Sequence, residues 1–153
     1  MVAAGTAVAG LASAAVASYA SYEQLVGGVQ TLFGAGGKTL EEYAASVGKT
    51  VDECREEYDS LMKAESLVMA NAEKAFATAG LSANDYMETV TSFSASLIQS
   101  LEGDTVAAAE KANMALVDMS DNANKMGTDM SMIQTAYQGF AKQNYTMNKV
   151  SAA

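Results

Sequence analysis

The sequence predicts an all-α fold, either a helical bundle or an extended array of about five helices, with no sheet. The first observation is composition, since the 153 residues include 30 alanines and no proline. Alanine is the best helix former, and proline is the residue that most strongly interrupts a helix. The second observation is that apolar residues recur at helical spacing along most of the chain. The third is that helix-capping signals and glycines separate these stretches, and the length suits one modest domain.

Charge and residue usage exclude several classes of function. Eighteen acidic residues against nine basic ones give a net charge of −9, and such a surface repels the phosphates of nucleic acids and anionic lipids. We therefore expect no nucleic-acid sequence recognition. The chain also has no histidine, which excludes Ser-His, Cys-His and ordinary zinc sites. We predict no enzyme, no catalytic residue, no cofactor and no metal, and an inert, partly buried Cys54 in an acidic setting.

The sequence of residues 1–33 predicts an Ala-rich apolar helix that needs a partner helix. No charged side chain occurs from Met1 to Tyr22, yet Ala, Gly, Ser and Thr dominate where a membrane helix usually carries Leu, Ile and Phe. Apolar residues line one side at heptad-like spacing. Because the rest of this helix is weakly polar, we predict a homo-oligomer or docking into a larger assembly. We place the interface near Tyr22, Val26, Val29 and Phe33, and we expect Asp at both Val26 and Phe33 to release monomers.

Residues 34–80 predict a short helix and a long helix that meet in a hairpin or corner. The glycine-rich run at 34–37 breaks the first helix, and Thr-x-x-Glu capping boxes begin at Thr39 and Thr50. The short helix should cover 39–47 and the long one 50–79. We expect the apolar stripe of the long helix, interrupted at Glu65, to contain Val51, Cys54, Tyr58, Leu61, Val68, Ala72 and Phe76.

Residues 81–147 predict a three-helix segment, followed by a disordered tail at 148–153. Ser82 should cap the first of these helices after Gly80, and Gly103 should end it. Asp104 or Thr105 should cap the second, which ends before Gly127. Thr128 should start the third.

Two motifs within residues 40–59 have a functional and a plain interpretation. The stretch from Leu40 to Tyr58 fits a helix-turn-helix template, but its second helix is too acidic to approach phosphates, so a simple helical corner is favoured. An adaptor or regulator built on this corner remains a third reading. Several carboxylates suggest an acid pair or a cation site, although this spacing more often marks a solvated helix face. They are Glu41, Glu42, Glu53, Glu56 and Glu57.

Four runs of sequence resemble one known family. The runs 81–101, 118–128, 133–147 and 22–34 resemble the core region of tail tape measure proteins of long-tailed phages and prophages. The resemblance implies a structural protein of the tail lumen whose helical length sets tail length and which leaves ahead of the DNA during infection. It also implies contacts with itself and with other phage tail proteins, in the virion tail and, during assembly, in the bacterial cytoplasm.

Two further expectations accompany this resemblance. Members of the family run to many hundreds of residues, so this chain is expected to be a core-region fragment. The alternative to a tail protein is a membrane-active helical protein that inserts through residues 1–33.

Overall fold

The protein is all-α in the part that the computed structural model describes, which is residues 19–136 and residue 139. Those residues contain six helices and no strand. The helices are α1 over 19–33, α2 over Leu40–Val47, α3 over Val51–Ala79, α4 over Ala83–Ser100, α5 over Thr105–Met126 and α6 over 130–136. The predicted fold class is confirmed. The predicted tail at 148–153, the first half of the N-terminal helix and the end of the three-helix segment lie outside the described residues.

Side-chain caps set where the helices begin. Both predicted capping boxes are present, because the side chains of Thr39 and Thr50 accept from the amides of Glu42 and Glu53 and each glutamate accepts in return from the threonine amide. Each threonine amide donates to its glutamate at 2.9 Å. Ser82 caps α4 as predicted. These contacts satisfy backbone N–H groups that have no partner inside the helix.

Glycines in the left-handed conformation end three of the helices. Gly48, Gly80 and Gly127 close α2, α3 and α5 with φ values of 70°, 64° and 62°. Glycine suits these positions because it carries no Cβ to clash there. The predicted end of α4 at Gly103 is too late, since that helix ends at Ser100 and the next residues form a turn.

The start of the last helix also differs from the prediction. Helix α6 begins at residue 130, and Asp129 rather than Thr128 precedes it directly. The Asp129 carboxylate accepts a hydrogen bond from the amide of Ser131 at 2.9 Å, which is the role of a helix cap.

The core lies where α3, α4 and α5 pack on one another. Its members are apolar apart from the Tyr86 hydroxyl, which donates to Asn113 Oδ1 at 2.9 Å. A second polar tie links α5 to the end of α3, where the Ser120 hydroxyl donates to the carbonyl of Ala79 at 2.7 Å. The largest fully buried side chains include Tyr86, Phe33, Met87, Leu116, Met119, Val29, Val68 and Val90.

Helix α1 packs against α3 and α4. Its final turn approaches α3 so closely that a Cβ at Gly34 would clash with the carboxylate of Glu65. Further back, Thr91 Cγ2 lies 3.9 Å from the position that a Cβ at Gly28 would occupy. Because a short turn joins α3 to α4, these two contacts make α1 run along α4 and antiparallel to α3.

Candidate interaction surface

The four residues predicted as an oligomer interface do not share one environment. Val29 and Phe33 are fully buried members of the core formed with α3, α4 and α5. Val26 is half-buried and packs against that core, and only Tyr22, 39 % exposed, reaches the surface. The helices that cover Val29 and Phe33 belong to the same chain, and an interface between copies near these four residues stays a prediction.

Exposed aromatic side chains lie on α1 and α3. Tyr19 is 64 % exposed and Phe76 is 81 % exposed, the largest value among the large apolar side chains of the described residues. Eleven residues, about three helical turns, separate Tyr22 from Phe33 and likewise Phe76 from Glu65. Helical register thus places Tyr22 on the Phe33 side of α1 and Phe76 on the Glu65 side of α3. We call Tyr19, Tyr22 and Phe76 the aromatic patch.

Phe76 departs from the sequence prediction. The apolar stripe predicted for α3 includes Phe76, but the buried side of the second half of this helix continues through alanines at 64, 72, 75 and 79, with Val68. Alanines let neighbouring helices approach α3 closely, and the side that carries Phe76 is left outside the core. The alanines on the buried side recur with the same helical period as the predicted apolar stripe. Their spacing is therefore the feature of the sequence that indicates this arrangement.

Three of the five carboxylates considered as an acid pair or a cation site have structural partners. Glu42 and Glu53 complete the capping boxes, and a backbone hydrogen bond from Thr50 lowers the pKa of Glu53. Glu57 accepts from the Tyr43 hydroxyl at 2.8 Å and pairs with Lys49 at 3.4 Å. Among residues 19–136, no group of three or more potential metal-ligating side chains comes together.

The corner between α2 and α3 is held by a small aromatic and ionic cluster. The rings of Tyr43 and Tyr58 lie 5.9 Å apart, and the Tyr58 hydroxyl donates to the carbonyl of Lys38 at 2.9 Å. Desolvation and the hydrogen bond to Glu57 raise the pKa of Tyr43 to about 12. The same hydrogen bond lowers the pKa of Glu57. Helices α2 and α3 contact each other in this region, and Cys54 is fully rather than partly buried.

Membrane insertion through residues 1–33 concerns a segment of which only the second half is described. Within the described part of the chain, no helix is both long enough and apolar enough to cross a membrane. Residues 19–33 instead contribute Val29 and Phe33 to the core.

Comparisons with known proteins give no relative from which to transfer a function. No protein-family model, no curated protein and no solved structure matches this chain.

Proposed function

We propose that this chain is a structural segment of a tail tape measure protein from a long-tailed phage or prophage. In this role it is a helical, self-associating scaffold in the tail lumen that contributes to tail length and assembly. The observation that carries the proposal is the resemblance of four sequence runs, 22–34, 81–101, 118–128 and 133–147, to the core region of that family.

The described parts of these runs belong to the packed bundle. Run 22–34 covers most of α1 and its end, run 81–101 contains all of α4, and run 118–128 covers the end of α5 with its glycine cap. The run in α4 also supplies Tyr86, Met87 and Val90 to the core. The described parts of the resembling runs therefore lie in helices that pack together. This supports the interpretation that the runs belong to one structural unit.

Self-association is the second part of the proposal, and the aromatic patch supports it. Large aromatic side chains gain free energy when they leave water, and those of soluble proteins are mostly covered. Phe76 instead stands 81 % exposed on the Glu65 side of α3, outside the core. A scaffold built from several copies would cover this side chain, together with Tyr19 and Tyr22.

Membrane insertion, the alternative function, would lower the folding stability of the bundle, whereas a scaffold role would not. Insertion of the whole segment 1–33 would withdraw Val29 and Phe33 from the core. Emptying the sites of two large buried side chains costs several kcal/mol of folding stability, on the order of 2–5 for each.

Composition analysis of purified tails tests the proposal. In the bacterium that carries the gene, neighbouring genes should encode tail tube and tail assembly proteins. Tail particles purified after prophage induction should then yield peptides of this chain by mass spectrometry. Deletion of the gene should shorten or abolish the tails, and complementation should restore them. Particles of normal length that contain the other tail proteins but no peptide from this chain would contradict the proposal.

A further inference from the structure

Residues 34–49, which we call the α2 strap, form a small unit outside the main core. Among the described residues, every member of the core cluster lies at or before Phe33 or at or after Ala64, as do the half-buried apolar side chains packed against it. Helix α2 contacts α3 but neither α4 nor α5. Ala44 on α2 and Cys54 on α3 are nevertheless buried. They therefore belong to a separate cluster beneath the strap.

Both ends of the α2 strap have glycines in the left-handed conformation. Gly36 and Gly37 have φ values of 68° and 73°, and Gly48 has 70°. Glycine has the widest backbone freedom, so both ends can change direction at low cost. Beyond these ends, Phe33 and the second half of α3 are fixed in the core. The strap can thus leave α3 and return while both of its attachments stay in place.

The polar contacts that hold the strap on α3 lie at the surface. They are the hydrogen bond from Tyr43 to Glu57, the Lys49–Glu57 pair and the hydrogen bond from Tyr58 to the Lys38 carbonyl. Water and salt weaken such exposed contacts, and their net contribution is small. Like charges also oppose closure, since residues 38–60 carry seven acidic side chains and three basic ones, a net charge of −4.

We propose that the α2 strap opens as a local unit while the bundle of α3, α4 and α5 stays folded. Opening uncovers the side of α3 that carries Cys54 and Tyr58. This opening of the α2 strap depends neither on the aromatic patch nor on the tail function proposed above.

The single cysteine provides the test. Cys54 is fully buried in the closed form, so a thiol reagent such as Ellman's reagent reaches it only when the strap opens. In the native full chain, the fraction of molecules with an open strap, obtained from the labelling rate, should be at least about tenfold larger than the globally unfolded fraction. The unfolded fraction is obtained from urea unfolding curves followed by circular dichroism. The labelling rate should also be nearly independent of urea below the unfolding transition, because local opening exposes little surface. Labelling that follows global unfolding in both frequency and urea dependence would overturn the proposal.

Two matched tyrosine variants separate local opening from bundle unfolding. Tyr43→Phe removes the hydroxyl that bonds Glu57 and should accelerate labelling in the absence of urea about 2- to 10-fold. Tyr86→Phe removes the hydroxyl that bonds Asn113 in the core, and it should lower the urea midpoint of the bundle without changing labelling in the absence of urea. The reverse pattern, with labelling accelerated only by Tyr86→Phe, would mean that bundle unfolding exposes Cys54.

Discussion

At the scale of single residues, short-range hydrogen bonds decide where these helices begin, and Ser82 illustrates this. Its hydroxyl accepts from the amide of Asp85 at 3.1 Å and donates to Asp85 Oδ2 at 2.6 Å. Such contacts depend on residues three positions apart, so sequence alone predicts them well. Burial of a particular side chain depends on neighbours far along the chain, which is why Phe76 was placed in the core by its spacing and lies outside it.

The Ser82 cap gives a stability prediction. Replacing Ser82 with Ala removes the acceptor for the Asp85 amide and should lower the free energy of unfolding by about 1 kcal/mol. Ser100→Ala is the matched control, because the Ser100 hydroxyl only donates to the carbonyl of Leu97 at the other end of α4. Urea unfolding curves measure both changes. Coincident curves for wild type and Ser82→Ala would show that this cap contributes nothing.

Two tyrosines predict that stability falls at alkaline pH. Desolvation raises the pKa of Tyr86 to about 12, as it does that of Tyr43. In the unfolded chain both phenols ionise near pH 10, whereas the folded state keeps them neutral. Their stabilising contribution is thus complete below pH 10 and is lost as the pH rises from 10 to 12.

Urea midpoints measured from pH 8 to pH 11.5 check this dependence. The midpoint should fall above pH 10, and the fall should be smaller in the double variant Tyr43→Phe/Tyr86→Phe, which cannot ionise at these sites. An equal fall in both proteins would assign the effect to other groups.

At the scale of helices, the ends are defined by backbone conformation. Helix α4 ends in a turn in which the Gly103 amide donates to the carbonyl of Ile98 at 2.8 Å. Glu102 and Gly103 both have positive φ there, 57° and 90°, and Glu102 is the only non-glycine residue with positive φ in the described part of the chain. The sequence predicted Gly103 as the end because glycine usually takes this place. The mismatch shifts the helix end and leaves Glu102 strained.

Placing glycine at the end of α4 and removing glycine from the end of α3 should change the free energy of unfolding in opposite directions. Glu102→Gly relieves the left-handed conformation and should raise the free energy of unfolding by about 1 kcal/mol. Gly80→Ala introduces the same strain at the end of α3, where φ is 64° and a Cβ meets no other atom within 4 Å. It should therefore lower stability by about 1–2 kcal/mol through backbone strain alone. Thermal or urea unfolding decides both signs, and a destabilised Glu102→Gly would contradict the strain assigned to α4's end.

The N-terminal helix shows the limit of sequence patterns at this scale. Its apolar row correctly indicates that the helix needs neighbours on one side. A pattern of this kind does not specify whether those neighbours come from the same chain or from another copy. For Val29 and Phe33 they come from the same chain, so Asp at Val26 and Phe33 together should unfold the bundle rather than release folded monomers.

At the scale of the whole molecule, the aromatic patch predicts how copies associate. Phe76→Glu places a charge on the exposed side of α3, which costs little in the monomer but much in an apolar interface. We expect this variant to keep its helix content and to dissociate oligomers. Met114→Glu is the control, since Met114 is also exposed but lies on α5 outside the aromatic patch. Equal association of the two variants would remove Phe76 from the interface.

The most direct test of a self-associating scaffold is the mass of the wild-type chain in dilute solution. Size-exclusion chromatography with light scattering should give a mass well above the 15.8 kDa of one chain and a lower mass on dilution. Under the same conditions, Phe76→Glu should elute as a monomer of 15.8 kDa and Met114→Glu should match wild type. A wild-type chain that is a monomer at every concentration would contradict self-association and would leave docking to other tail proteins as the only scaffold role.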